Sequence, residues 1–411
     1  MHTNLKPVAA SSSRWGRVVA LLATMCLASC GGADIGCDPG APCATSSKFD
    51  VTRPTPVATA QRFVSMGLGS RHSCMLAGNG AAWCWGNNEH GQLGAVSAER
   101  CVSGNIDCSS TPLRVGGGLT FASLTGSDLY SCGLTSAGAA WCWGFGLGGQ
   151  LGDGLLTDSM LPVAVAGGHV FSAVATSLFT GLSCGIEADG SPWCWGTGFS
   201  FGTKGPKASS VPLRWDAASS VVWAKLVLGQ GHACGLDAAG RAWCVASNFH
   251  GLLGDGSGVA STTPVAVAGS RVYRDIAVGI EHSCALATDG QAWCWGLGAA
   301  MGTGASTSTG TIEPTPVAVA GNVRFEHLIA SSSRSCGLTA DGSAWCWGEG
   351  YGGTLGDGST AQRLSPVAVS GGLHFTALAA GGDATCGLVT DGTAWCWGSN
   401  ETGAVGVPIA Q

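Results

Sequence analysis

Residues 282–296 read His282-Ser283-Cys284-Ala285-Leu286-Ala287-Thr288-Asp289-Gly290-Gln291-Ala292-Trp293-Cys294-Trp295-Gly296, two apolar runs on either side of a Thr-Asp-Gly turn. A three-residue hairpin loop needs Gly at its left-handed position, and Gly290 supplies it. With Thr288-Asp289-Gly290 as the loop, Ala287 faces Gln291, Leu286 faces Ala292, and Cys284 falls opposite Cys294. Directly opposed antiparallel residues have Cα atoms about 4.5–5.5 Å apart, inside the window of roughly 4.4–6.8 Å that disulfides accept. The two strands are therefore expected to be stapled to one another. Side chains alternate across a strand, so Trp293 and Trp295 lie on the face opposite the sulfur, where they can pack against the next unit.

Working outward, the same C-x9-C unit occurs seven times, pairing Cys74 with Cys84, Cys132 with Cys142, Cys184 with Cys194, Cys234 with Cys244, Cys284 with Cys294, Cys336 with Cys346 and Cys386 with Cys396. The second Cys recurs at intervals of 58, 52, 50, 50, 52 and 50 residues, and the residue six after the first Cys is Gly in every copy. A unit of about 50 residues has room for four short strands but cannot bury both faces alone, and seven copies close most naturally as a seven-bladed β-propeller. The fold class is thus all-β. A Pro-Val-type strand occurs eight times around the seven units, from Pro56-Val57 to Pro408-Ile409. One terminal copy can complete a blade begun at the other end of the chain, leaving no open edge.

Composition agrees. Of 411 residues 68 are Gly and only 11% are charged, while 45% are hydrophobic and 16 are Trp. That apolar content excludes a disordered chain, and the Gly content disfavours long helices. The net charge is −6. Lys6, Arg14 and Arg17 precede Cys30 and no acidic residue does, so removing these three from the 19 basic residues leaves 16 against 25 acidic ones, a net of −9. Nucleic acid is not expected as a partner, because affinity for phosphate backbones comes from clustered Lys and Arg.

Residues 1–29 read as an export signal, with Arg14 and Arg17 ahead of the apolar run Val18–Ala28. The run ends in Leu27-Ala28-Ser29-Cys30-Gly31, which resembles the bacterial lipobox. That resemblance implies cleavage before Cys30 and lipidation of its thiol, anchoring the chain to a membrane. Gly31-Gly32 lacks the Asp that retains enteric lipoproteins at the inner membrane, so an outer-membrane address in the cell envelope is expected. Residues 30–50, rich in Gly, Pro, Ser and Ala, read as a tether, and 51–411 as the propeller. Setting aside Cys26 and Cys30, the 20 cysteines leave 18, an even number. Beyond the seven hairpin pairs these form two local ones, Cys37 with Cys43 and Cys101 with Cys108. Zinc-type clusters are missing from this spacing, and an oxidising compartment explains the set.

The units resemble the repeats of the regulator of chromosome condensation family. The resemblance rests on Cys284-Ala285-Leu286, Asp289-Gly290, Trp295-Gly296 and on Gly149-Gln150-Leu151-Gly152-Asp153-Gly154, and it covers residues 51–411. The fourth unit departs from it, with Val245-Ala246 in place of Trp-Gly. The family's namesake is a guanine-nucleotide exchange factor, an activity that export argues against. Secreted bacterial inhibitors of β-lactamase with a similar propeller show what else the resemblance allows.

No catalytic residue, cofactor or metal site is expected. His72, His232 and His282 hold the same place, two before the first Cys, but Tyr130, Leu182, Arg334 and Ala384 replace them elsewhere, so a structural role is expected for them. Asp189, Asp289, Asp341 and Asp391 sit at turns, where Asp bonds its own backbone. Asp153, Asp255 and Asp357 take the same reading, with calcium as the alternative. More informative is what varies. Three residues after the Gly of Trp-Gly (Ala246 in the fourth unit), the copies read Glu89, Leu147, Phe199, Phe249, Ala299, Tyr351 and Glu401, a candidate binding ring on one face. His90, Phe201, His250 and Met301 would enlarge it, giving the aromatic and Met content of interface centres. The first unit is longer by about eight residues, closed by Cys101 and Cys108, and the third carries Lys204, Lys207 and Arg214. The expected function is a non-enzymatic, membrane-anchored, monomeric lipoprotein whose propeller binds a protein partner. The alternative is a propeller that binds or acts on polysaccharide.

Overall fold

The computed structural model describes residues 47, 49–101, 106–198, 208–218, 220–304 and 312–409. Cys30, Cys37, Cys43, Phe199, Phe201, Lys204 and Lys207 lie outside them. The described residues form seven antiparallel sheets arranged as a seven-bladed propeller, six of four strands and the first of five. In the first blade Phe63–Leu68 is innermost, followed by His72–Ala77, Ala82–Asn87 and Ile106–Arg114. Glu99–Cys101 adds a fifth strand at its outer edge, pairing Glu99 with Cys108, and the Cys101–Cys108 disulfide fastens it. The last blade takes its outer strand from the other end of the chain: Asp50–Pro56 pairs with Ala394–Ser399. The first of the eight Pro-Val strands thus closes the ring.

Each hairpin has the register the turn dictates. In the fifth blade Ala287 N–H donates to Gln291 O and Gly290 N–H to Ala287 O, both at 2.9 Å, with Gly290 at φ +82°. Counting back from that bonded pair, Cys284 and Cys294 form a non-hydrogen-bonded pair, the closer of the two antiparallel types. Seven cross-strand disulfides result, one in each blade. They join Cys74 to Cys84, Cys132 to Cys142, Cys184 to Cys194, Cys234 to Cys244, Cys284 to Cys294, Cys336 to Cys346 and Cys386 to Cys396. Their Cα atoms are 4.0–4.1 Å apart, closer than the directly opposed spacing expected from the sequence, and all fourteen cysteines are fully buried.

The direction of tryptophan packing differs from expectation. The second Trp of Trp-Cys-Trp lies opposite the sulfur, but it packs on the preceding unit, not the next. Trp143 of the second blade sits among Cys74, Cys84 and Leu93 of the first, and Trp85 of the first sits among Cys386, Cys396 and Val405 of the last. Trp195 of the third blade likewise covers Cys132 and Cys142 of the second, and Trp295 of the fifth covers Cys234 and Cys244 of the fourth. A staple is thus covered by the following blade's indole. The Gly-Gln-Leu-Gly loop is the cradle. Its last Gly has φ +67° at Gly94 and φ +72° at Gly152, and a Cβ on Gly152 would come within 2.7 Å of the Trp195 ring nitrogen.

A single carbonyl in that loop locks neighbouring blades together. Gln92 O accepts Trp143 Nε1–H and Ser131 Oγ–H, both at 3.0 Å, using both lone pairs. Gln150, Leu252, Ala300, Thr354 and Ala404 repeat the arrangement for the blades that follow each of them.

The seam between the third and fourth blades lacks all of these parts at once. The third unit has no Gly-Gln-Leu-Gly, and the fourth has Val245 for Trp and Ala233 for Ser. Trp215, standing where other units carry Val, is 1% exposed and shares one cluster with Val245, Ala233 and the Cys184–Cys194 staple. One indole has been exchanged for another in the same core, conserving volume as tolerated core changes do.

Candidate functional site

The position two before the first Cys is the second lock between blades. His72 Nε2 lies 2.7 Å from Ser131 Oγ, His232 Nε2 2.9 Å from Ser283 Oγ, and His282 Nε2 2.8 Å from Ser335 Oγ. Ser131 has already given its one hydrogen to Gln92 O, so the imidazole must be the donor through Nε2, and burial keeps each ring neutral. Burial holds these rings far below the ordinary imidazole range, near 3 for His72 and His282 and near 4 for His232. Tyr130 Oη donates to Leu182 O and meets Ser183 Oγ, each at 2.9 Å. Arg334 reaches Thr385 Oγ1 at 3.2 Å and the carbonyls of Gly381, Gly382 and Ala384. Where the following unit has Ala233, with no hydroxyl, the facing residue is the apolar Leu182, in the same cluster. These side chains join blades, and Arg334 also lines a small cavity on the ring face.

The turn aspartates do what their chemistry favours. Asp153 accepts the Leu155 N–H at 2.9 Å, Asp255 binds Ser257 and Asn248, and Asp357 pairs with Arg363 at 2.6 Å.

The six described ring positions fall on the loops between the third and outer strands. These loops share a face with the turns between the inner and second strands, since Asn87 N–H donates to Arg71 O and Ser399 N–H to Asp383 O, each at 2.9 Å. Three members project large side chains into solvent: Leu147 is 60%, Phe249 72% and Tyr351 73% exposed. They stand in the second, fourth and sixth units. Glu89 is exposed and Glu401 half-buried, and Glu89 Oε2 accepts from Asn87 Nδ2 at 3.1 Å. Ala299 is half-buried at the head of a short turn, Ala299–Met301, because its loop is two residues shorter than that of the fourth unit. Met301 is therefore not a surface neighbour. It is 2% exposed and takes the core place of Leu93 in the first blade. His90 bonds Asp158 of the next unit at 2.8 Å, and His250 stands against Phe249, ring centroids 4.0 Å apart, and pairs with Glu281 of the next unit at 3.4 Å. Arg214 of the third unit reaches Asp216 at 3.8 Å.

The seven inner strands enclose a channel of about 360 Å3, walled by Leu68, Leu124, Val174, Leu226, Ile276, Leu328 and Leu378. Lys225 is the sole charged lining residue among the described ones and forms an ion pair with Asp275. A glycan-cleaving site would need convergent acids there, and the described lining supplies none.

One group was missed by sequence reasoning. Arg71, Asp128 and Asp383 occupy equivalent inner turns on the ring face, and Arg71 pairs with Asp128 at 3.3 Å. The residue type changes from unit to unit at this turn, so no repeated pattern singled it out.

The described residues form a seven-bladed propeller whose repeats are similar to those of the regulator of chromosome condensation family. The family described as "Regulator of chromosome condensation (RCC1) repeat" matches residues 63–92, 273–299 and 375–404, and again 341–388. Among curated relatives, the human E3 ubiquitin-protein ligase HERC2 is 26% identical over 179 residues, which is 42% of this chain and 4% of that protein. The chain thus spans a small part of that relative's length. Among solved structures, human WBSCR16 superposes with a TM-score of 0.70 at 16% identity, covering 84% of this chain and 88% of that one. Prp20p of Saccharomyces cerevisiae gives 0.65 at 20%, covering 85% and 83%. These likenesses establish the shared fold.

Proposed function

We propose that this chain is a non-enzymatic, lipid-anchored envelope protein whose propeller presents its ring face to a protein partner. The observation that carries this reading is the solvent exposure of Leu147, Phe249 and Tyr351 on equivalent loops of one face. Large exposed apolar and aromatic side chains rimmed by polar ones are what partner-binding surfaces offer. The fold offers a precedent: Prp20p has been studied for its binding to Gsp1p and histones. Anchoring rests on the lipobox-like run ending at Cys30, and an outer-membrane address on Gly31-Gly32.

Two experiments test the reading. Affinity capture from native envelope extract should retain a protein on the full chain carrying Cys30→Ser. The same chain with Leu147, Phe249 and Tyr351 changed to Ala should lose it. If both chains capture the same species, or neither captures any, the ring face is not the binding surface. Metabolic labelling with an alkyne-bearing fatty acid should mark the wild-type chain and not Cys30→Ser. Equal labelling of the two would remove the anchor.

A further inference from the structure

Between the sixth and seventh blades, at the foot of the exposed Tyr351 ring, the ring face holds a small polar cavity of about 80 Å3 whose lining includes Ser333, Arg334, Glu349, Tyr351 and Asp383. Its charge is one-sided. Two cations act on Asp383, and both are already engaged: Arg71 pairs with Asp128, and Arg334 spends its guanidinium on three carbonyls and Thr385. Against them stand the carboxylates of Asp383, Asp128 and Glu401, with Glu349 in the lining and Asp50 close enough to act on Tyr351. Asp383 decides the matter. It is half-buried, lines the cavity, and its carboxylate takes no hydrogen bond or ion pair from any described residue. A carboxylate withdrawn from water is costly unless paired, and here the open side of the cavity is where a partner group can enter.

We propose that this cavity receives an arginine side chain of the partner protein, its guanidinium paired with Asp383 and stacked on the Tyr351 ring. The proposal rests on the reading of the ring face as a protein-binding surface and names the chemistry that face recognises. Arginine suits it better than lysine, because a planar guanidinium can pair with a carboxylate through two N–H groups and lie flat on an aromatic face at once. Burial lifts the Asp383 carboxyl to about 6. The group is therefore anionic at neutral pH and gains a proton on mild acidification, which removes the charge the guanidinium needs.

The chain has three tyrosines, and Tyr130 and Tyr273 are buried, so ring-13C-tyrosine labelling of the full chain carrying Cys30→Ser gives three NMR signals. Tyr351→Phe assigns the exposed one. Titration with acetyl-Gly-Arg-Gly-amide at pH 7.5 should shift the Tyr351 signal saturably, the lysine peptide more weakly, and the citrulline peptide not at all. Asp383→Asn should weaken the arginine peptide about tenfold, as should lowering the pH to 5, while unchanged Tyr130 and Tyr273 signals report an intact fold. A citrulline peptide that shifts Tyr351 as far as the arginine peptide, an Asp383→Asn chain that binds as tightly, or no saturable shift would overturn the proposal. So would spermidine binding more tightly than the arginine peptide, which would make the ligand a free polycation. Should the peptide fail while ring-dependent capture succeeds, this cavity falls and the face stands. Should capture fail while Tyr351 titrates, the face reading falls alone.

Discussion

Mild acid should unfold this propeller through three imidazoles. His72, His232 and His282 are held by burial near 3, 4 and 3, against 6.5 for a free imidazole. Between pH 6.5 and about 4 the unfolded chain therefore binds protons that the native chain refuses. The stability contributed by the neutral rings is complete above pH 6.5 and is lost as the pH falls through that window. At pH 5 each ring that stays neutral forgoes about 1.5 pK units of protonation, or about 2 kcal/mol, so the three together lose about 6 kcal/mol. Asp383 acts in the opposite sense. Its native carboxyl, raised to about 6, takes up a proton before the unfolded chain does, so acidification returns on the order of 1 kcal/mol. A net loss of roughly 5 kcal/mol is comparable with the whole stability of many domains. The assay is urea unfolding at pH 7.5, 6.0 and 5.0 with the disulfides intact, comparing the chain with a variant carrying His72→Gln, His232→Gln and His282→Gln. Lost packing will make the variant weaker at pH 7.5. Its stability should nevertheless change at least about 4 kcal/mol less than wild type between pH 7.5 and 5. Equal pH dependence in the two chains would show that the rings are not neutral and dry, and would refute the reasoning.

Other outcomes follow from the seam and the staples. Ala246 occupies φ +85° where the other six units have Gly, so Ala246→Gly should raise stability by about 1 kcal/mol, read as a higher Tm by calorimetry. Trp215→Ala, which removes the indole that fills the place of a tryptophan at 245, should cost about 3–5 kcal/mol in urea unfolding. The cysteines of all eight described disulfides are at most 2% exposed. Millimolar dithiothreitol should therefore release none of the sixteen thiols of these disulfides from the native chain and most of them once urea unfolds it, as counted by alkylation and mass spectrometry.

Hairpin register was legible in the sequence because loop length and one left-handed Gly leave no freedom: once Thr288-Asp289-Gly290 is the loop, Cys284 must meet Cys294. Closure was legible because a strand motif counted one too many for the number of units. The direction of Trp packing was not. Alternation says which side of a strand Trp295 occupies, but chain order alone does not say which neighbour lies there. The seam around Val245 was visible as a departure without its cause. Its replacement, Trp215, stands 30 residues away and is recognisable only when two blades are superposed. Of the candidate site, exposed Phe249 and Tyr351 sit at positions where the repeat does not dictate the residue. Asp383 escaped notice because its importance lies in the partners it lacks, and a missing partner leaves no mark in one sequence.

The staples also bear on how such a chain can be made. Each hairpin disulfide joins cysteines only ten residues apart. If the polypeptide emerges into an oxidising space from its N-terminus, the two thiols of a pair arrive almost together and can be oxidised before the next pair appears. A chain with many thiols thus avoids most of the wrong pairings available to it. The ring itself cannot follow that schedule. Asp50–Pro56 has no strand to join until Ala394–Ser399 has emerged, so the earliest strand waits longest and the molecule becomes whole in one late step.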